Sequence, residues 1–318
     1  MLATVTCAIF LSCSWLMPVV SGEGSKAQRA EALAKYGFDP STSLESRIGE
    51  TPAAVLKAFK DAGTKPAAHV LTEVERQKVS RAFAALPPLS YRTLRERLRS
   101  FSFLDGMPNT ALTSTVNPDE PYRLFDLTIR AGILNENVSE FLTKKERTCF
   151  ETSNSSLNVH IQGGRLDAIV YVLLHEATHI VDGSLQMTTK TGPGDQSYAT
   201  SFTKGVWNGR TTLAPQYRNT LLESIVFRAD GKVLSIDQAE AVYKALRQTP
   251  FVSLYGSNNG HDDLAEAVAW HHLTEKLRQP YRIEILKEGK VIFVYEPMKS
   301  RLVRSRFDLM KEFYQSER

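Results

Sequence analysis

The chain has 318 residues, 42% of them apolar, with a formal net charge of +4. That composition is ordinary for a soluble globular protein and long enough for one large or two small domains with a sizeable core. Its basic residues are scattered apart from Lys299, Arg301, Arg304 and Arg306, a cluster assigned to the solvated face of a last helix, so a nucleic-acid partner is not expected.

Residues 1–22, "MLATVTCAIFLSCSWLMPVVSG", carry no charge and hold an apolar stretch too short for a convincing membrane span. They read as a signal peptide, which implies an exported protein, secreted or periplasmic. Membrane contact is expected only if this segment stays as an uncleaved anchor. Cys7 and Cys13 fall inside it, leaving Cys149 with no partner for an internal disulfide. Asn137 and Asn154 stand in sequons that a eukaryotic host could glycosylate.

Residues 23–70, polar and interrupted by Pro40, Gly49, Pro52, Gly63 and Pro66, form an N-terminal extension ahead of a domain over 71–318. A helix is predicted from the capping residue Thr72 to the prolines at 87 and 88, and a second from Ser90 through about 101. Residues 110–116 and 122–134, rich in Thr, Ile, Leu and Phe, read as strands, as does "SLNVHIQGG" at 156–164. The run 165–182 is apolar on nearly every side, which makes it a buried central helix, ended by Gly183. A long Gly/Thr/Ser-rich loop around Trp207 spans 184–215. Helices follow at 235–249 and 262–277, then a hairpin at 281–297 and the last helix. The fold class is α+β, mainly helical, with a small mixed sheet beside the central helix.

That helix carries "LLHEATHIVDG". His175 and His179 are separated by about 400° of helical rotation, so both imidazoles point the same way, one turn apart, and can reach one metal ion. Glu176 lies beside this face, where its carboxylate can approach a metal-activated water without becoming a ligand. Two histidines and a glutamate in so apolar a helix would otherwise each need a buried partner. A catalytic zinc site takes three protein ligands and keeps one position open. The metzincin extension is excluded, because Asp182 and Leu185 stand where a glycine and a histidine would be. The third ligand is sought in "SLYGSNNGHDDLAEAVAWHHL", whose helix carries Asp262, Asp263 and Glu266 in its first turns. Glu266 is chosen, because Ala265 and Ala267 beside it would let this helix pack closely against the first.

The motif H-E-x-x-H followed by D-D-x-A-E-A resembles the gluzincin metallopeptidases over about residues 156–273, although the thermolysin-like N-E-x-x-S-D pattern is absent. The resemblance implies a zincin-like fold and a Zn2+-dependent peptidase acting on a peptide or protein substrate. It implies His175, His179 and Glu266 as ligands and Glu176 as the base. Tyr255 or His261 would stabilise the transition-state oxyanion. Asp182 could orient an imidazole or simply close a helix end, and Asp263 faces the same choice. His271 and His272 are expected to be structural. Strand 156–164 could align a substrate backbone or lie inside the sheet. A monomer is expected. A non-catalytic zincin-fold binding module of the cell envelope or surface is the alternative.

Overall fold

The computed structural model describes residues 24–152, 155–191 and 197–315; residues 1–22, expected to be a signal peptide, and Asn154 of the second sequon lie outside the described residues. The chain opens with α1 (Lys26–Lys35), α2 (Ala53–Asp61), a two-residue β1 (Ala67–Ala68) and α3 (Glu73–Ala84). Thr72 starts α3 through a capping box, its hydroxyl accepting from the Glu75 N–H while the Glu75 carboxylate accepts from the Thr72 N–H. α4 (Pro88–Arg97) begins two residues before the expected start, Pro88 suiting a first turn, where its missing N–H costs nothing. It also ends earlier than expected. From Leu98 the alternation of "SFSF" buries Phe101 and Phe103 edge to face at 5.0 Å, and the chain continues as β2 (Leu98–Asp105).

With β3 (Ala111–Thr115) and β4 (Phe125–Arg130), these strands form a sheet of order β1-β2-β4-β3, in which β2 and β4 are parallel and the other pairs antiparallel. β3 is the outer strand. Residues 24–70 lie against this sheet: β1 pairs with β2, and Val55 and Phe59 pack on Leu104 and Met107.

α5 (Val138–Arg147), capped by Asn137, leads through β5 (Phe150–Glu151) to β6 (Leu157–Gln162) and then to α6 (Ala168–Leu185). Every residue of α6 except Glu176, His179, Gly183 and Leu185 is buried. The helix therefore meets neighbours on almost all sides and is partly open at Glu176 and His179 and near its C-terminal end. Gly183 does not end it; the helix continues to Leu185, and Gln186 takes the left-handed cap at φ 55°. Gly183 instead makes room for an aromatic ring, since a Cβ there would stand 3.1 Å from Phe125 Cζ.

The loop after α6 holds short paired strands β7 (Thr189–Thr191) and β8 (Ser197–Ala199). There follow α7 (Thr220–Glu223), β9 (Leu234–Ser235), α8 (Ala239–Leu246) and α9 (Gly260–His271). The expected hairpin is β10 (Arg282–Lys287) and β11 (Lys290–Tyr295), turned by Glu288 and Gly289 at positive φ, and β6 joins it in a second sheet, β11-β10-β6. α10 (Arg301–Arg304) and a 3-10 helix (Phe307–Tyr314) end the described chain. The fold is thus mixed α and β with a small mixed sheet. Among the described residues no helix is long and apolar enough to cross a membrane.

The basic C-terminal cluster does not share one solvated face. Arg306 is buried, and its guanidinium makes two 2.8 Å bonds to the Asp263 carboxylate. Cys149 is a buried free thiol.

Candidate metal centre

α6 and α9 run antiparallel, and their facing side chains form a ladder. At one end the Tyr171 hydroxyl donates to Glu266 Oε1. On the next rung His175 lies between two acids, with its Nδ1 2.9 Å from Glu266 Oε1 and its Nε2 3.8 Å from Asp262 Oδ1. His179 Nε2 is 3.4 Å from that same Asp262 oxygen and 3.0 Å from His175 Nε2. Asp182 faces His261 on the last rung.

The acid that converges on the two Nε2 atoms is therefore Asp262, one turn before the expected Glu266. His175, His179 and Asp262 can each offer a ligand atom, all within 4.8 Å of one another. The donor set fits zinc. With zinc to donor distances near 2.0–2.1 Å, tetrahedral ligand atoms stand roughly 3.3 Å apart, and the three spacings here are 3.0, 3.4 and 3.8 Å. The second Asp262 oxygen is occupied, because Oδ2 accepts from the side-chain amides of Asn258 at 2.8 Å and Asn259 at 2.7 Å. These bonds aim Oδ1 at the imidazoles. Burial alone would raise the Asp262 carboxyl, but His175 and His179 outweigh it and hold the group well below the usual carboxylate range.

Glu266 is fully buried on the other side of His175. Burial would push its carboxyl up, yet the bond to His175, the Lys145 charge and the Ser253 hydroxyl at 2.6 Å bring it down to about 2. An ionised acceptor on Nδ1 fixes the imidazole with Nε2 toward Asp262, as a carboxylate does for a metal-binding histidine. Gly256 permits this approach, since a Cβ there would lie 3.3 Å from Glu266 Cβ. Opposed by burial but favoured by Asp262 and Glu266, the His175 pKa rises to about 9.

Glu176 faces the cleft beside the histidines, and Thr113 Oγ1 of β3 donates to its Oε2 at 2.7 Å. Asp182 orients neither His175 nor His179. It accepts from the Thr188 N–H and hydroxyl at 2.8 and 2.7 Å and lies 2.5 Å from Nδ1 of His261, the imidazole it does hold. Asp263 turns away to Arg306 and the Trp207 indole N–H. Tyr255 packs its ring 5.6 Å from that of His175 and edge-on to Phe227. His271 and His272 lie against Tyr314, far along α9, in a structural setting.

The cleft above this floor has a volume of about 1070 Å³ and is lined by β3, the 203–210 segment and the 226–231 segment. Strand 156–164 is not part of it: β6 belongs to the second sheet, and β3 is the strand that meets Glu176.

Sequence reasoning missed Asp262 as the converging acid, and Thr113, Asn258 and Asn259 altogether. Asp262 and Glu266 share one helix face at i and i+4, so both were visible as candidates. The amide pair directly before "GHDD" was the available hint, because two neutral donors suit a carboxylate that needs fixing without neutralisation. No protein-family model, curated protein or solved structure matches this chain.

Proposed function

We propose that this protein is a zinc-dependent, zincin-like peptidase in which His175, His179 and Asp262 hold the metal and Glu176 is the general base. The observation that carries this reading is the convergence of two Nε2 atoms and one carboxylate oxygen at tetrahedral spacings on a cleft floor, with a glutamate carboxylate beside them. A bound zinc ion supplies Lewis acidity toward water and toward the scissile carbonyl.

The chain's own groups supply the rest. Glu176 takes the proton of the attacking water and returns it to the leaving amine, while Thr113 holds one of its oxygens still. His261 donates its Nδ1–H to Asp182, whose charge favours the imidazolium, and in that doubly protonated form it also donates from Nε2 to the oxygen that gains negative charge. Tyr255, the other candidate donor, packs its ring against that of His175. Among the described residues β3 has a strand neighbour on one side only, which suits pairing with an extended peptide backbone beside Glu176. Glu266, Ser253 and Tyr171 position His175 from behind.

The test is metal analysis of the purified full chain together with peptide hydrolysis by wild type and Glu176→Gln. One zinc per chain in both proteins is expected, with activity in the variant reduced by at least about a hundredfold, as for removal of a general base. Equal cleavage by both would refute the assignment of Glu176. Stoichiometric zinc without hydrolysis of a diverse peptide mixture would favour the non-catalytic binding module.

A further inference from the structure

The charge on the cleft wall points to its substrate. Among the described residues, three carboxylates line the cavity, and all three are committed around the metal centre: Glu176 to Thr113, Asp182 to Thr188 and His261, and Asp262 to Asn258, Asn259 and the imidazoles. Five cations line the same cavity: Arg123, Lys145, Lys204, Arg210 and Arg228. A cleft with walls of one sign concentrates its field and draws in ligands of the opposite sign.

Lys145 is tied to the metal centre through a single ring. It projects from the last turn of α5, half-buried, with Nζ 3.4 Å from the centroid of the Tyr255 ring, whose own centroid is 5.6 Å from that of His175. The ammonium is thus held one aromatic ring away from a metal ligand. No carboxylate of a described residue pairs with it, and its fixed contacts are the rings of Tyr255 and, at 5.9 Å, Phe227. Its charge also lowers the buried Glu266 carboxyl behind the wall. A purely electrostatic support of Glu266, however, would not require an ammonium lining the cleft. Arg228 shows the contrast: its guanidinium is spent on the backbone carbonyls of Ser257 at 2.5 Å and Thr211 at 2.6 Å, which fixes the loop after Tyr255.

We propose that Lys145 forms a carboxylate subsite beside the metal centre, so that the protein acts on peptides carrying an acidic group next to the bond it cuts. The proposal rests on the peptidase reading above. An ammonium over an aromatic face keeps its position while remaining able to donate, and a substrate carboxylate entering there would meet it in a partly desolvated wall, where charge pairs discriminate better than at an exposed rim.

The test uses full-length zinc-loaded protein and one host peptide with Glu, Gln or Lys at each position near the scissile bond, each with a free and an amidated C-terminus. For wild type, kcat/KM should favour Glu over Gln by about tenfold, the scale of one partly buried charge pair, mainly through KM. Lys145→Arg should keep the preference, Lys145→Gln should erase it, and Lys145→Glu should shift it toward Lys. Raising the salt concentration should shrink it. A preference that follows the side chain, or one that follows the free chain end, supports the subsite and tells which carboxylate fills it. A Glu/Gln ratio near one in wild type, or one unchanged in Lys145→Gln, overturns it. Binding of the same peptides to Glu176→Gln, read by fluorescence anisotropy, separates this from failure of the peptidase reading. Should no peptide be cleaved, the same acid-over-amide ratio in binding, lost in Lys145→Gln, still supports the subsite, and its absence overturns it.

Discussion

Asp262 and Asp263 are neighbours on α9, both buried, and their charges are met in opposite ways. Asp263 has a permanent cation from its own chain, the forked Arg306 guanidinium, with the Trp207 indole as a third donor. Asp262 has two neutral amides on one oxygen and two imidazoles facing the other. The first arrangement is closed, with charge and geometry both satisfied by fixed side chains. The second presents lone pairs from three residues to one point, and imidazoles complete it as neutral donors only when a cation is shared among them. Neighbouring positions on one helix thus separate into a structural anchor and a candidate metal ligand according to what opposes each carboxylate.

The largest expected effect on stability lies on the anchored side. Arg306→Ala leaves Asp263 buried without its cation, and loss of one partner of a buried pair costs about 3–5 kcal/mol. Chemical denaturation should register that loss, while zinc stoichiometry of the protein that remains folded at low temperature stays at one. A fall in zinc content matching the fall in stability would erase the distinction between the two acids.

A smaller effect is expected where the far end of α9 meets the C-terminal segment. Burial holds His272 down to about 4, with the Tyr314 hydroxyl 3.0 Å from its Nδ1. A folded pKa below the unfolded value of about 6.5 means that the unfolded chain binds the proton more readily, so stability is full above pH 6.5 and declines as pH falls toward 4. The loss should reach about 2–3 kcal/mol and be reduced in His272→Gln. Hydrogen exchange in residues 307–314 should report it; protection there that does not change between pH 7 and 4.5 would contradict it.

Much of this centre was legible because it depends on helical periodicity. Two histidines at i and i+4 in an apolar helix place two donors on one face, and the structure keeps them there. The choice between Asp262 and Glu266 was not legible, since both lie on one face of α9 and only the antiparallel alignment with α6 decides which meets Nε2. That alignment puts Glu266 level with Tyr171 and His175, and Asp262 level with His175 and His179. Gly183 misled for a similar reason. Its local meaning is a helix end, whereas its actual constraint comes from Phe125, 58 positions away in the sequence. Arg306 was assigned to solvent by its basic neighbours, because a partner such as Asp263 on a distant helix leaves no periodic trace. Of the first sheet, β3 and β4 were readable from their Thr, Ile, Leu and Phe content and partial alternation, whereas β1 and β2 were not, and which strand would border the cleft depended on packing between elements far apart in the chain.

Zinc affinity measured by competition with a chelator, for wild type, Asp262→Asn and Glu266→Gln, tests the central claim most directly. Removing the carboxylate ligand should weaken binding by well over about a hundredfold, whereas removing the group that holds His175 should cost only about ten- to a hundredfold. Near wild-type affinity in Asp262→Asn, with binding abolished in Glu266→Gln, would contradict the account and return the third ligand to Glu266.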